Sequence, residues 1–323
     1  MVQPEVTLAD VARVAGVAAS TVSRALAGSD VVASGTRARV LAAARDLGYE
    51  PNLAARQLAT GRGQSIALVL PDIANPFYAS VAKGMQQRTR ELGMTAVFAD
   101  TDEGIANEHE VLARVAPVAS GLVLASSRLD DAAIAQVGER SRVVLINRAV
   151  EGFAALTGDN RDGVRQALEH LEALGHRRVG YAGGPASSWS DAARRAGLAD
   201  AATQQEIVDL GSFRPGSAGG RAAVDRALAA QVSAVLAFND QLALGMLGQL
   251  ADRAVVVPEQ LSIIGFDDVP VARLLAPALT SVSVPAAELG RQAVDLLVAP
   301  HPPEPGLRSL PVELIVRRST APA

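Results

Sequence analysis

The sequence predicts an all-α N-terminal headpiece, a short connecting segment, and then an α/β core of two lobes, each built on a doubly wound parallel sheet. Three observations carry that expectation. Between Thr7 and Ala27, apolar residues recur at helical spacing in two short runs separated by Gly16. From Ser65 onward, brief apolar runs alternate with longer amphipathic stretches, the pattern of strands and crossover helices in a parallel sheet covered on both faces. That alternation starts again after about residue 151, which makes two sheets rather than one. A chain of 323 residues, 49% of them hydrophobic, has the length for one small domain and one large, well-cored one. The expected bounds are residues 1–50 for the headpiece, 51–64 for the hinge and linker, and 65–323 for the core.

In the first run Thr7 is an N-cap, and Asp10 three residues on makes a capping box with a shorter acid than usual. Leu8, Val11, Ala12 and Ala15 form one apolar face, and Gly16 supplies a left-handed turn residue. Val17 can fill the gap before the second helix, which buries Val22 and Leu26 and turns Ser20, Ser23 and Arg24 outward. This is a helix-turn-helix whose second helix is polar on its outer face. A DNA major groove, about 12 Å wide, admits such a helix with its N-terminal side chains on the base edges; a hairpin that merely packs is the plain alternative. A third helix is expected over residues 34–48, capped by Ser34, with Val40, Leu41, Ala44 and Leu47 inward and Gly48 at its end. Pro51 then imposes an extended lead-in and Asn52 can cap a short helix, but residues 53–59 are too few to be helical alone in water. Taken by itself, and followed by the flexible residues 60–64, this stretch reads as a linker.

Composition bounds the function classes. No run of eighteen apolar residues is present, so no membrane-spanning helix is expected. Glu5 and the lack of an apolar stretch at the start argue against a secretory signal. The absence of cysteine excludes disulfides and thiolate metal sites and fits a cytoplasmic setting. Net charge is −4, but it is uneven: residues 1–62 carry seven arginines against five acids, while the remainder carries 23 basic against 29 acidic residues. That is a weak basic footprint for nucleic acid, so the DNA expectation rests on pattern.

Through the core, strands are expected at 66–70, 95–98, 121–125, 142–146, 178–182, 234–237 and 261–264. Helices are expected at 75–92, 108–115, 132–138, 162–174, from 191, at 217–229 and at 240–252. Ligands of open α/β sheets sit beyond the carboxyl ends of the strands. Those ends carry Asp72, Asn75 and Phe77; Asn147 and Arg148; Ser188, Ser190 and Arg194; and Phe213, Asn239 and Asp267. Carboxylate, amide and guanidinium groups with aromatic faces suit a small polar ligand such as a sugar, and Phe77, Trp189 or Phe213 could stack on it. A structural alternative stands beside several of them: Asn75 as a helix cap, Asp267 and Asp268 capping a loop, Phe213 in the core, Arg194 paired with Asp191 on its own helix.

These pieces together resemble the LacI/GalR family of bacterial transcription regulators. The carrying residues at the front are Thr7-Leu-Ala-Asp-Val-Ala12, Gly16-Val17 and Ser20-Thr-Val-Ser-Arg-Ala-Leu26. In the core they are Asn75-Pro-Phe-Tyr78, Asp159-Asn160, residues 170–176, Gly183-Gly-Pro185, Arg194 with Gly197, and Phe238-Asn-Asp240. Val257-Pro258, Ile264-Gly-Phe-Asp-Asp268, Pro277-Ala-Leu-Thr280 and residues 310–320 complete the set. Their order and spacing, from 7 to 320, are specific where each alone is not.

The resemblance implies a periplasmic-binding-protein-like core behind the headpiece. Its first lobe would take about 65–150 and 283–310, and its second about 151–282 and 311–323. It implies that Thr7, Ala19, Ser20, Thr21, Ser23 and Arg24 face a double-stranded operator. Asn52, Ala55 and Leu58 would belong to a hinge helix, with Leu58 wedged into the minor groove. It places effector contacts at Phe77, Arg148, Ser190, Arg194, Phe213, Asn239 and Asp267, and dimer faces on helix 76–92 and the start of 285–297. The chain departs from the family pattern at several points. Ala18 stands where a capping serine is usual, which costs about 1 kcal/mol. Ala19 offers a methyl where a polar base reader is usual, Asn147 replaces a common aspartate, Ala119-Ser120 replaces Val-Asp, and residues 199–211 are short. The last three bear on which ligand is bound, not on the family.

The expectation is therefore a cytoplasmic, nucleoid-associated, homodimeric DNA-binding repressor whose operator affinity is set by a small polar effector, with no cofactor, metal or membrane partner. An enzyme is not expected. There is no Gly-x-Gly-x-x-Gly after a strand, no phosphate loop and no Gly-x-Ser-x-Gly elbow, and His109, His170, His176 and His301 lack metal-ligand spacing. The alternatives are a solute-binding protein of a transport system, which would have no use for the first sixty residues, and a sugar- or nucleoside-responsive activator.

Overall fold

The computed structural model describes residues 6–26, 31–49, 65–201 and 204–323. The chain divides into two compact units, residues 1–63 and 64–323. The hinge residues Asn52, Ala55 and Leu58 lie outside the described residues.

The headpiece consists of α1 (Leu8–Ala15), α2 (Ala19–Leu26) and α3 (Ser34–Asp46). The capping box at Thr7 is formed in both directions, the Asp10 amide donating to Thr7 Oγ1 at 3.3 Å and the Thr7 amide to Asp10 Oδ2 at 3.0 Å. These bonds with Thr7 hold the Asp10 carboxyl down at about 2. Gly16 ends α1 at φ +63°, where a side chain would be strained. Val11, Val22 and Val40, each wholly buried, meet at the centre with Ala12, Ala15, Ala25, Ala43 and Ala44 around them. Three local expectations change. Ala25 rather than Leu26 is the second buried residue of α2, and Ala43 takes the interior place expected of Leu41, which is exposed. Ser34 is the first helical residue of α3, preceded by Ala33 with no side-chain cap. For the two buried positions, a step of one or two residues along a 100° screw decides which side chain meets the other helices.

The core elements follow in chain order: β1 (Ser65–Leu70), α4 (Pro76–Glu91), β2 (Thr95–Asp100), α5 (Ile105–Val115), β3 (Gly121–Ala125), α6 (Asp131–Gly138), β4 (Val143–Ile146) and β5 (Ala154–Gly158). Then come α7 (Asn160–Ala173), β6 (Arg178–Gly183), α8 (Trp189–Asp200), β7 (Glu206–Ser212), α9 (Ser217–Ala229), β8 (Ala234–Ala237), α10 (Asp240–Asp252) and β9 (Ser262–Asp267). After a 3-10 turn (Pro270–Leu274), β10 (Thr280–Ser283), α11 (Ala286–Val298), β11 (Gly306–Leu310) and β12 (Glu313–Ile315) complete the chain.

The first sheet has the order β11-β5-β4-β3-β1-β2 and the second β12-β10-β9-β8-β6-β7. All pairings are parallel except β10 with β12. The central strands are buried on both faces and read as unbroken Val/Leu/Ala/Ile runs, because helices cover both sides. One lobe boundary moves: β5 hydrogen-bonds to β4 and β11, so the first lobe runs to Gly158 and the chain crosses at 158–159 instead of 151. The chain crosses back before α11 and again between β11 and β12, and the Asp159 amide donates to the Leu310 carbonyl at 2.9 Å, tying two crossovers together. Helices α4 and α11 pack so closely that a Cβ on Gly84 would stand 1.8 Å from the Ala287 carbonyl oxygen. The parts of α4 left facing outward, Ala79 and Lys83, adjoin exposed Ile73 and Phe98 in a shallow apolar depression.

Candidate functional site

On the headpiece, α2 turns Ala19, Ser20, Ser23 and Arg24 to solvent, with Thr21 half-buried. The Ala18 carbonyl accepts from the Thr21 and Val22 amides at 2.8 and 3.1 Å, so the helix starts without any side-chain oxygen at its cap. Among the described residues, Ser20, Ser23 and Arg24 have no hydrogen bond or ion pair. Thr7 is exposed too, but its hydroxyl is committed to Asp10 at 2.6 Å. The face is thus a short run of unpaired donors on a rigid helix, backed by an apolar core.

In the core, a cleft between the lobes is lined at the carboxyl ends of β1, β2, β3, β4, β6, β7, β8 and β9. The second lobe contributes Ser188, Ser190, Arg194, Phe238, Asn239 and Asp267. Arg194 is 4% exposed: its Nε donates to Asn160 Oδ1 at 2.9 Å, its Nη1 to the Phe238 carbonyl, and its guanidinium carbon lies 3.6 Å from the centre of the Phe266 ring. That leaves Nη2, which stands 3.9 Å from Asp267 Oδ1, too far for a hydrogen bond. Asp267 itself makes no side-chain hydrogen bond among the described residues. Burial pushes its carboxyl well above the usual range; Arg194 opposes the shift and the neighbouring Asp240 adds to it. Asn239 caps α10, its Oδ1 accepting from the Leu242 amide at 3.0 Å, which leaves the amide nitrogen as a donor. The cleft therefore holds, side by side, a largely buried carboxyl without a protein hydrogen bond, donors with capacity to spare, and a hydroxyl at Ser190.

The first lobe contributes Asn75, Phe77, Tyr78, Glu103, Ser126, Arg128 and Asn147. Phe77 packs edge-on against Tyr78, their ring centres 5.3 Å apart. Burial pushes the Tyr78 hydroxyl up to about 12, with Arg128 pulling the other way. Arg128 donates through Nε and Nη2 to Glu103 Oε2 at 3.0 and 2.8 Å.

Of the residues expected at the effector, Phe77, Ser190, Arg194, Asn239 and Asp267 line this cleft, and Arg148 and Phe213 do not. Arg148 turns away: its Nη2 donates to Asp131 Oδ1 at 2.5 Å and to the Leu129 carbonyl at 3.3 Å. Asn147, at φ +54°, faces the cleft in its place and accepts from Thr157 Oγ1 at 3.0 Å. Phe213 packs half-buried on the second lobe's apolar cluster, and Trp189, half-buried at the start of α8, is outside the lining. The expected alternative of an Arg194–Asp191 pair is not formed, because Asp191 accepts from Tyr181, the Gly184 amide and Arg195. Asn75 lines the cleft and also caps α4, as its structural alternative proposed. Glu103, Ser126 and Arg128 were not singled out from the sequence; all three follow the ends of β2 or β3, so the strand-end rule applied evenly would have found them.

Among the described residues no cluster of three or more metal-ligating side chains is present. No helix there is long and apolar enough to cross a membrane.

Comparison with known proteins bears on both regions. Residues 7–52 match the family model for bacterial regulatory proteins of the lacI family, and residues 168–320 match a periplasmic binding protein-like domain. The transcriptional regulator GalS of Salmonella typhimurium is 34% identical over 90% of this chain and 88% of its own length. This chain belongs to the lacI family of bacterial regulatory proteins. Among solved structures, the lac repressor dimer bound to operator and the anti-inducer ONPF superposes with a TM-score of 0.85 at 28% identity, covering 98% of this chain and 99% of that one. The complex of the regulator CelR with cellobiose gives a TM-score of 0.70 at 32% identity, covering 98% and 100%. As a lacI-family member the chain is a DNA-binding transcriptional regulator, not an enzyme, with its sensor in the two-lobed core.

Proposed function

We propose that this lacI-family regulator is a homodimeric, cytoplasmic repressor released or engaged by a neutral polyhydroxylated effector, a sugar or sugar derivative, bound between the lobes. The observation that carries the reading is Asp267: a carboxyl only 8% exposed that opens on the cleft without a protein hydrogen bond, beside a guanidinium whose Nη2 donors are unused. Ligand hydroxyls entering the cleft would supply the hydrogen bonds that this largely desolvated carboxyl lacks. Sugar hydroxyls supply donors and acceptors at the spacing that Asp267, Arg194, Asn239 and Ser190 offer, and Phe77 and Phe238 present apolar faces to the ring. The cellobiose bound to CelR and the operator bound to the lac repressor dimer support the same assignment of parts.

On this reading Ser20, Ser23 and Arg24, with Ala19 and Thr21, face the major groove, and the dimer forms through the outer faces of α4 and α11. Asn52, Ala55 and Leu58 in the hinge take the minor groove. Effector closure of the lobes shifts the equilibrium of the paired hinge segments instead of making a contact to DNA. The test is a thermal-shift panel of pentoses, hexoses and disaccharides, ribose and cellobiose included, on the full-length protein. One class of sugar is expected to raise the melting temperature of the wild type and to raise that of Asp267→Ala far less, with operator binding of that variant intact. A panel without any shift, or an equal shift in the variant, would overturn the cleft assignment.

A further inference from the structure

We propose that Asp240 is a positioning residue for the effector: it stays beneath the cleft and holds Asp267 in the backbone conformation that presents its carboxyl there. The proposal rests on the reading of Asp267 as an effector contact. Asp240 is the first residue of α10 and is wholly buried. Its Oδ2 accepts from the Val269 amide at 2.8 Å, and its Oδ1 accepts from Ser281 Oγ at 2.6 Å. Ser281, on β10 and also wholly buried, accepts in turn from the Asp268 amide at 3.1 Å. The two amides that follow Asp267 are therefore tied to one carboxylate–hydroxyl unit contributed by two other elements.

The tie falls where the backbone needs it. Asp267 has φ +113° and Asp268 φ +51°, two consecutive residues with side chains in the region that favours glycine. Such conformations persist only where the surroundings over-determine them. The Asp267 side chain does not do so, since its nearest cation is 3.9 Å away and it has no hydrogen bond among the described residues. Arg317 Nη2 donates to Asp268 Oδ1 at 2.6 Å, but that bond holds a side chain, not the two amides. The sheet is also shaped around Asp240. A Cβ on Gly265 would stand 2.0 Å from its Oδ1, so β9 carries glycine at the one place where this carboxylate presses on it. The start of α10 favours the charged carboxylate that can accept both bonds. One helix start thus sends Asn239 into the cleft and Asp240 under the loop that shapes it.

The test uses full-length wild type, Asp240→Asn, Asp267→Ala and the double variant. The Asp240→Asn change keeps the side chain's shape and one acceptor, so the fold is expected to survive; Ser281→Ala, which removes only the hydroxyl link, serves if it does not. Without any sugar, hydrogen exchange at the Asp268 and Val269 amides is expected to quicken at least tenfold in Asp240→Asn, with the Leu242 amide unchanged. In calorimetric titrations with ribose, cellobiose and the remaining panel sugars, Asp240→Asn is expected to weaken binding tenfold or more. It should add no further loss in the Asp267→Ala background and leave operator affinity unchanged. A residue that only supports the fold would weaken binding by the same factor in both backgrounds. That result, or unchanged exchange at both amides, would overturn the proposal. If the wild type binds no sugar, the reading of the cleft fails, and the amide exchange alone still decides whether Asp240 holds the loop.

Discussion

On α2, Ser20, Ser23 and Arg24 stand in solvent without a protein partner among the described residues, whereas in the cleft the Arg194 and Asp267 side chains are only 5% and 8% exposed. The first face is held by the helix alone. Among the described residues no hydrogen bond or ion pair depends on its side chains, so they can change with little consequence for folding. The second is held by tertiary contacts, and Arg194 is as much a structural bolt as a binding group: one donor on Asn160, one on a carbonyl, and its plane on Phe266. The outer face of α2 and the centre of the cleft therefore differ in how freely they can vary. The outward side chains of α2 can be replaced one by one; the centre of the cleft cannot be altered without disturbing the lobe around it.

Four measurements would undo or refine that contrast. The largest effect is expected for Arg194→Ala, which removes a buried cation from three sets of contacts and should destabilise the core by about 3–5 kcal/mol as well as abolish effector binding; denaturant melts with and without sugar would show both, and a variant of wild-type stability would mean that Arg194 serves the ligand alone. Next, Arg24→Ala should leave the melting curve within about 0.5 kcal/mol of wild type. It should nonetheless lower operator affinity by about 1–3 kcal/mol, or roughly ten- to a hundredfold. Fluorescence anisotropy with labelled operator checks it, and an equal loss of stability would dissolve the contrast.

The third measurement is the pH dependence of effector affinity. Burial holds the Asp267 carboxyl well above its ordinary range, and Asp240 is pushed to about 7, also by burial. Hydroxyls donating to Asp267 favour its charged form, so binding releases a proton and affinity should rise as pH increases through the raised values, by up to about tenfold per unit of pH for one proton. Calorimetry on both sides of about pH 7, the value of Asp240, in buffers of different ionisation enthalpy, tests the sign. A profile that falls with pH would mean that Asp267 binds as the protonated acid. Helix α2, ASTVSRAL, contains no Asp, Glu or His, so if it reads the operator, operator affinity should change little over the same interval. The smallest effect is expected for Ala18→Ser. It supplies the missing cap to the Thr21 amide and should slow hydrogen exchange along α2 in proportion to about 1 kcal/mol, without moving effector affinity.

How much of this was legible beforehand differs between the same two regions. On α1 and α2 the 3.6-residue period, a cap and a glycine place every side chain to within one position, and across the headpiece only Leu26, Leu41 and Ser34 needed correction. In the core, alternation located seven of the twelve strands and the helices between them. It missed β5, β7, β10, β11 and β12: Glu206–Ser212 is half-exposed and polar, Gly306–Leu310 is largely exposed, and Ala154–Gly158, Thr280–Ser283 and Glu313–Ile315 are runs of only five, four and three residues. The strand-end rule and the family resemblance together named five of the cleft-lining side chains as effector contacts. They misplaced Arg148, because the turn after β4 hinges on Asn147 adopting a left-handed backbone. The pair Arg128–Glu103 was passed over because its members sit 25 residues apart on two different loops.

The sequence alone dictates what local geometry can settle: which stretches are helix or strand, which face of each is apolar, and therefore that a polar helix precedes a two-lobed α/β body. Those are consequences of backbone periodicity, read within one or two turns of chain. Tertiary packing was needed to put β5 in the first sheet, to give Asp191 to Arg195 and not Arg194, and to lay Asp240 under Asp267. The reason is that a buried donor or acceptor is satisfied by whatever packing brings within about 3 Å of it. Partners such as Asp240–Val269 and Arg194–Asn160 lie tens of residues apart, where no spacing along the chain records them, and even between neighbours Arg194 and Arg195 packing decides which one meets Asp191.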